Sequence, residues 1–148
     1  MSSNFFGISK VKFTPEGGLA VRVLNETGGP SIKGYIVEPG PSVDNSAKYT
    51  DGGDVDPIGV VYDADVPDGE YMWVVVSGIA DVYYSGNDVV RATFSRVPTS
   101  GEALPDGHAI NEPLPSPPFA TDKHFQEIGH SLESISAPGL AKTILHFN

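Results

Sequence analysis

The chain has 148 residues, a net charge of −10 with only nine Lys and Arg residues, and no cysteine. This composition excludes disulfide bonds and thiolate metal sites, and the scattered basic residues argue against direct nucleic-acid binding. No apolar run approaches the roughly 20 residues of a membrane span, and no signal peptide is recognisable, so we expect one domain over residues 1–148 with no membrane partner.

The predicted elements are β-strands throughout. The sequence holds 17 glycines and 13 prolines, which separate apolar, β-branched runs and so mark turns. After an N-terminal segment (residues 1–17), the predicted strands cover residues 19–24, 33–38, 58–63, 70–77, 79–84, 89–97, 125–132 and 140–147. Since no segment shows a capped helical stripe, we predict an all-β barrel or sandwich of about eight strands with long Pro/Gly-rich loops.

One spacing occurs twice along the chain. Gly59 is followed ten residues later by Gly69, and Gly129 is followed at the same step by Gly139. In each copy an isoleucine precedes the first glycine and an apolar run follows the second. Each copy therefore predicts a strand, a glycine-marked turn and a second strand, which is typical of repeated β units.

Two strand patterns predict what the strands bury. Residues 71–76 are apolar on both faces, as expected of a strand covered on both sides in a sandwich centre or at a subunit contact. The last strand alternates, with Lys142, Ile144 and His146 on one face. We predict that its other face enters the core, namely Ala141, Thr143, Leu145 and Phe147.

Two longer stretches, residues 39–57 and 98–118, have no clear strand pattern. Residues 98–118 contain six prolines. They form either a surface loop or an extended arm that lies along a neighbouring subunit, anchored by apolar side chains such as Leu104 and Ile110. If they form an arm, its removal should leave the β domain folded.

Sequence motifs for catalysis and cofactor binding are absent. There is no phosphate-binding loop, no dinucleotide fingerprint and no nucleophile elbow, so we predict no catalytic residue and no cofactor. His124 and His130 would lie about 20 Å apart on a strand and could not share an ion. His146 could approach His130 across a hairpin, but this pair would leave too few ligands, so we also predict no metal ligands.

Aspartates cluster in two loops. Asp63, Asp65 and Asp68 are spaced somewhat like a calcium loop, but the glycine and the bidentate glutamate of that loop are not at the required places. Asp51 and Asp54 lie in the polar stretch with Asp56. Solvated turn residues are the simpler interpretation, and calcium binding at either loop stays open.

Three segments resemble proteins of tailed bacteriophages. Residues 21–37 include Asn25-Glu26-Thr27-Gly28 and then Ile32-Lys33-Gly34, which is similar to the opening of a β module of virion proteins. Residues 58–82 resemble the next part of that module, and residues 124–148 are similar to the end of head decoration (capsid cement) proteins. The resemblance covers residues 18–38, 56–97 and 124–148.

The resemblance implies a non-enzymatic structural protein on the outer capsid surface of a virion, made in the host cytoplasm. It implies a barrel or sandwich that binds the major capsid protein and its own copies, with a homotrimer favoured. We expect contacts from large apolar side chains, and the residues chosen are Phe5, Phe6, Trp73, Leu104, Ile110, Leu114 and Phe119.

Two alternatives remain at this stage. A tail fibre or baseplate module would use a similar β unit to present loops to a host surface. A small-ligand or carbohydrate-binding β domain would use Trp73, Tyr83 and Tyr84 as a stacking platform.

Overall fold

The computed structural model describes residues 9–54, 56–112 and 125–147, which contain ten β-strands. The all-β prediction is confirmed. In this part of the chain no helix is long and apolar enough to cross a membrane. The strands are β1 (Val11–Phe13), β2 (Gly18–Asn25), β3 (Ile36–Pro39), β4 (Ser46–Tyr49), β5 (Gly59–Val61), β6 (Tyr71–Tyr84), β7 (Phe94–Arg96), β8 (Ile110–Glu112), β9 (Glu127–Ser131) and β10 (Gly139–Leu145).

The strands form one sheet that returns to β6 twice. Strands β2, β4, β3, β5 and β6 are neighbours in that order, and β2 also pairs with β6, which closes a first ring. From β6 the sheet continues through β10, β9 and β7 to β8. A parallel bridge between Tyr84 of β6 and Ala109, directly before β8, closes a second ring. The 14-residue strand β6 therefore belongs to both rings.

Strand β6 joins two strands that the sequence analysis predicts separately, at residues 70–77 and 79–84. Gly78 lies between them with a φ of +80°, which looks like a break in the sequence pattern. The strand continues through this point because Gly78 still pairs with Gly18 of β2, and a register shift lies two residues earlier in β6, opposite Leu19/Ala20. Its first half pairs with β2 and β5, and its second half pairs with β10.

Side-chain alternation along the strands produces two buried clusters. Met72 and Val74 of β6 enter the smaller cluster with residues of β3, β4 and β5. Val75 enters the larger cluster, which extends along the second half of β6 into β9 and β10. Residues 71–76 therefore bury side chains on both faces of β6, as predicted, with Met72 and Val74 on one face and Val75 on the other. Tyr71, in contrast, is 57% exposed.

The repeated spacing corresponds to two antiparallel pairs, β5 with β6 and β9 with β10. One pair belongs to each ring. The predicted core face of β10 is also confirmed, because Ala141, Thr143 and Leu145 are buried while Ile144 on the opposite face is 43% exposed. The sequence pattern therefore predicted the β9–β10 pair correctly.

Of the two interpretations of residues 98–118, the extended arm is wrong for residues 98–112. This segment contains β8, which pairs with β7, and its Ala109 donates a backbone hydrogen bond to the Tyr83 carbonyl. Residues 106–112 are free of proline, so nothing prevents a short strand there. Leu114 and Phe119 lie outside the described residues, as do Phe5 and Phe6.

Candidate functional site

Three ligand-type side chains meet on the outer face of β9 and β10. Nε2 of His146 lies 2.7 Å from Oε2 of Glu127 and 3.1 Å from Nδ1 of His130. The two imidazole rings stack, with centroids 5.2 Å apart. One ligand atom from each residue lies within 4.8 Å of the other two. We refer to Glu127, His130 and His146 as the histidine–glutamate cluster.

A bulge in β9 explains how Glu127 and His130 come to share a face. Residues three apart in a regular strand point to opposite faces. Here Phe94 pairs with His130 and Arg96 pairs with Glu127, so two steps along β7 match three steps along β9. Ile128 is the extra residue, and its side chain enters the larger core cluster. Because the extra residue shifts the side-chain alternation by one position, Glu127 and His130 lie on the same face of β9.

The bulge depends on Gly129. Its φ is +145°, and a Cβ atom built there would lie 1.9 Å from the carbonyl oxygen of Ile144. Only glycine allows β10 to approach this closely. His146 directly follows β10 and lies beside Ile128, whose carbonyl accepts a hydrogen bond from the His146 backbone N–H at 2.9 Å.

The sequence pattern predicted the approach of His146 to His130 but not the position of Glu127. A regular strand would put Glu127 on the opposite face from His130. The available signal was Gly129, because a glycine inside a strand pattern often marks a bulge. The other histidine considered there, His124, lies outside the described residues.

A second group of acidic residues surrounds Lys48. Glu38, Asp51 and Asp54 place carboxylate oxygens within 4.8 Å of one another. Burial raises the pKa of Glu38 to about 7, and the hydrogen bond and charge of Asp54 add to this effect. Nζ of Lys48 lies 3.4 Å from Glu38 and 3.1 Å from Asp51, so a cation of the chain itself already occupies this group.

The aspartates of the other loop hold turns. Oδ1 of Asp63 accepts a 2.8 Å hydrogen bond from the Trp73 backbone N–H, and Oδ1 of Asp68 accepts one from Gly28 at the same distance. Asp65 has a φ of +64°, a conformation that aspartate tolerates in turns. These contacts fit the turn interpretation of the sequence pattern.

The side chains of Trp73, Tyr83 and Tyr84 do not form one stacking surface. Tyr83 and Tyr84 are consecutive in β6 and point to opposite faces. Tyr84 is completely buried, and its hydroxyl lies 2.7 Å from the Ser95 hydroxyl and 2.6 Å from that of Thr143. Trp73 packs against the larger cluster, and Nζ of Lys12 lies 4.6 Å from its ring centroid. The carbohydrate-binding alternative therefore loses its proposed platform.

A hydroxyl–imidazole contact lies near the start of β8. The Ser85 hydroxyl is 2.9 Å from Nδ1 of His108, and Nε2 of His108 is 2.9 Å from the Tyr35 hydroxyl. Burial lowers the pKa of His108. The rings of Tyr35 and Tyr83 pack against the imidazole at 4.8 Å, so the three rings fasten the segment before β8 to β3 and β6.

Exposed apolar side chains gather on the same surface as the histidine–glutamate cluster. Leu132, Leu140 and Ile144 are each 40–43% exposed, and we call them the outer β9–β10 face. Phe13 of the edge strand β1 is 84% exposed. Of the predicted contact residues, Trp73 and Leu104 are half-buried, whereas Ile110 is buried within its own subunit.

No protein-family model matches the chain, and no curated protein matches it. Among solved structures, the chain is similar to the N base of the head fiber protein gp8.5 of bacteriophage phi29. The TM-score is 0.55, and the match covers 86% of this chain and 92% of that one at 13% sequence identity. At this identity the likeness concerns the fold, which the two proteins share over most of their length.

Proposed function

We propose that this chain is a non-enzymatic structural protein of a bacteriophage virion, attached to the outer surface of the head as a decoration protein. The observation that carries the proposal is the fold shared over 86% of the chain with a phage head fiber base. The resemblance of residues 124–148 to the end of head decoration proteins supports the same assignment from the sequence.

The architecture suits a structural role. Because β6 belongs to both rings, the two halves of the sheet are joined by continuous backbone and not by a linker. Ring closure also leaves few free strand edges, which limits uncontrolled association. Such a body holds its contact surfaces at fixed positions, and many copies on one particle would compensate for modest single contacts.

The proposed partners are the major capsid protein and two further copies of this chain. We assign the contact between copies to the outer β9–β10 face, because it combines three exposed aliphatic side chains on a rigid hairpin. We assign the capsid contact to β1, which pairs on one side only with β2 and exposes Phe13. A free strand edge with an aromatic side chain suits pairing with another chain.

The test is cryo-electron microscopy of virions from the phage that encodes this chain. Density for this two-ring β domain on the outside of the head, around local three-fold positions, is the expected result. Density in the tail would instead support the tail fibre or baseplate alternative. Mass spectrometry of purified virions provides an independent check, and absence of the chain from them would contradict any virion role.

A further inference from the structure

We propose that the histidine–glutamate cluster is a binding site for a divalent transition-metal ion, with Zn²⁺ as the best fit. The ligands are one carboxylate oxygen of Glu127, Nδ1 of His130 and Nε2 of His146. Two imidazoles and one carboxylate form a set that favours zinc and its neighbours in the transition series over Mg²⁺ or Ca²⁺, which prefer oxygen ligands.

One nitrogen of His146 lies beside two atoms that can each act as a ligand. Nε2 of His146 carries either one proton or one lone pair, yet it faces both the Glu127 carboxylate and Nδ1 of His130. If it donates its proton to the carboxylate, Nδ1 of His130 is left without a good donor. If it accepts a hydrogen bond from Nδ1–H of His130, it has no proton to donate to the carboxylate oxygen 2.7 Å away. A metal ion would accept electron density from all three atoms at once.

Glu127 places a carboxylate in a buried position. This residue is 92% buried (8% exposed), so its carboxylate needs a nearby cation. Arg96 is its partner across β7 and β9, but the guanidinium bonds instead to Glu102 and Glu112. Nε2 of His146 lies 2.7 Å from Oε2 of Glu127, so a metal ion bound between them would supply a positive charge at this carboxylate.

The separations of the ligand atoms are close to those around a zinc ion. Tetrahedral zinc with ligand distances near 2.0–2.1 Å separates its ligand atoms by about 3.3 Å. The observed separations of 2.7 and 3.1 Å are shorter than this value by about 0.6 and 0.2 Å, and the Glu127 and His130 ligand atoms lie within 4.8 Å of each other. Side-chain rotation provides such a shift without moving the backbone, which is fixed by the pairing of Ile144 with His130 and of Leu145 with Gly129.

The site would keep one open position. Only three chain ligands are present among the described residues, and the His146 side chain is 48% exposed. The fourth ligand would be water. The metal would link Glu127 and His130 of β9 to His146, which follows β10, and so stabilise this part of the second ring.

The test is zinc binding to the purified full chain after removal of bound metal with a chelator. We expect one Zn²⁺ per chain by calorimetry, and an increase in Tm of about 5–10 °C at a hundredfold excess over Kd. Co²⁺ should give the strong visible absorption of a tetrahedral site. His146→Ala and His130→Ala should each weaken binding at least tenfold, and circular dichroism checks that both variants stay folded.

Two control variants separate this site from others. Val43→Ala removes an exposed apolar side chain in the loop between β3 and β4, and Asp54→Asn alters the acidic group around Lys48. Both should retain one zinc ion per chain. Absence of binding at tens of micromolar Zn²⁺ would overturn the proposal in favour of a proton-held His146–Glu127 ion pair. Binding that survives both histidine substitutions would overturn it as well.

Discussion

At the scale of single residues, the Tyr84 hydroxyl is the clearest structural hydrogen-bonding group. It joins β6 to Ser95 of β7 and Thr143 of β10 across the interior of the second ring, and burial raises its pKa to about 12. We expect Tyr84→Phe to lower the free energy of unfolding by about 1–3 kcal/mol, because two buried hydroxyls lose a partner. Chemical denaturation measures this loss.

Tyr83→Phe is the matched control for that substitution. It removes a hydroxyl one residue away and retains the ring contacts with Tyr35 and His108. Its expected effect is below that of Tyr84→Phe. Equal effects of the two substitutions would mean that the buried network contributes no special stability.

Glu38 should make stability depend on pH in the mildly acidic range. Burial raises its pKa from 4.5 to about 7, so the folded chain retains a proton that the unfolded chain has already lost. Its contribution is fully present below pH 4.5 and is lost as the pH rises through 7. We therefore expect Glu38→Gln to be more stable than the parent at pH 8, with the difference removed near pH 4.

Urea denaturation at a series of pH values tests this. Glu70→Gln, which changes an exposed glutamate, should leave the pH profile of the parent unchanged. A Glu38→Gln profile that runs parallel to that of the parent between pH 4 and 8 would contradict the assignment.

At the scale of elements, the first glycine of each repeat, Gly59 or Gly129, marks a place where two strands approach closely. A Cβ at Gly59 would lie 2.3 Å from a Val74 methyl group, and one at Gly129 would meet the Ile144 carbonyl. We expect Gly129→Ala to destabilise the chain by about 3 kcal/mol or more, because the methyl group collides with backbone in a strained conformation. Gly69→Ala is the control, since Gly69 also has a positive φ but a Cβ at that position would have no heavy atom within 4 Å.

Because both positions have a positive φ, the difference in stability between the two alanine variants measures the cost of the steric collision separately from that of backbone strain. Thermal unfolding of both provides it. If Gly129→Ala is no less stable than Gly69→Ala, the bulge in β9 is not fixed by this glycine, and the alignment of Glu127 with His130 needs another explanation.

The segment before β8 is attached through a charged contact. Arg96 is buried and donates hydrogen bonds from Nη1 and Nη2 to Glu102 at 2.8 and 3.1 Å. This arginine lowers the pKa of Glu102 to about 2, against the opposing effect of burial. The contribution of Glu102 is thus present above pH 4.5 and is lost as the pH falls towards 2.

We expect Glu102→Gln to cost about 1–2 kcal/mol at pH 7, a modest value because the carboxylate remains 31% exposed. The deficit should shrink as the pH falls below 4.5. Hydrogen exchange should show faster opening of residues 98–112 in this variant. Unchanged exchange there would show that the ion pair does not hold the segment.

Alternation predicted the elements whose strands are long enough to show it. Strands β2, β6 and β10 have 7–14 residues, long enough for an apolar pattern to be visible, and in β10 alternate positions are buried. Strands β1 and β8 have three residues each, and β4 has four, too few for a periodic signal. Their partners lie far away in the sequence, and these pairings stabilise them more than local preference does.

At the scale of the whole molecule, the ring closures determine which side chains meet. Nothing local in the sequence indicates that Tyr84 bridges to Ala109, or that Lys48 lies among Glu38, Asp51 and Asp54. The histidine–glutamate cluster was partly predictable, because a hairpin brings His146 near His130, whereas the position of Glu127 depends on a one-residue bulge. The fold class therefore follows from composition and turns, and the site follows from register.

The homotrimer remains the prediction with the widest consequence. Closed symmetry is usual for identical subunits, and the outer β9–β10 face offers Leu132, Leu140 and Ile144 for a repeated contact. Light scattering at tens of micromolar should give three chain masses.

Ile144→Glu should shift the mass towards one chain without loss of β structure by circular dichroism, since Ile144 is 43% exposed in the subunit and only the contact would bury its charge. Val43→Glu, at a comparably exposed loop residue between β3 and β4, should leave the trimer intact. A monomer for the parent chain would restrict assembly to the capsid surface, and a trimer unaffected by Ile144→Glu would place the contact elsewhere, with the β1 edge and Phe13 as the next surface to test.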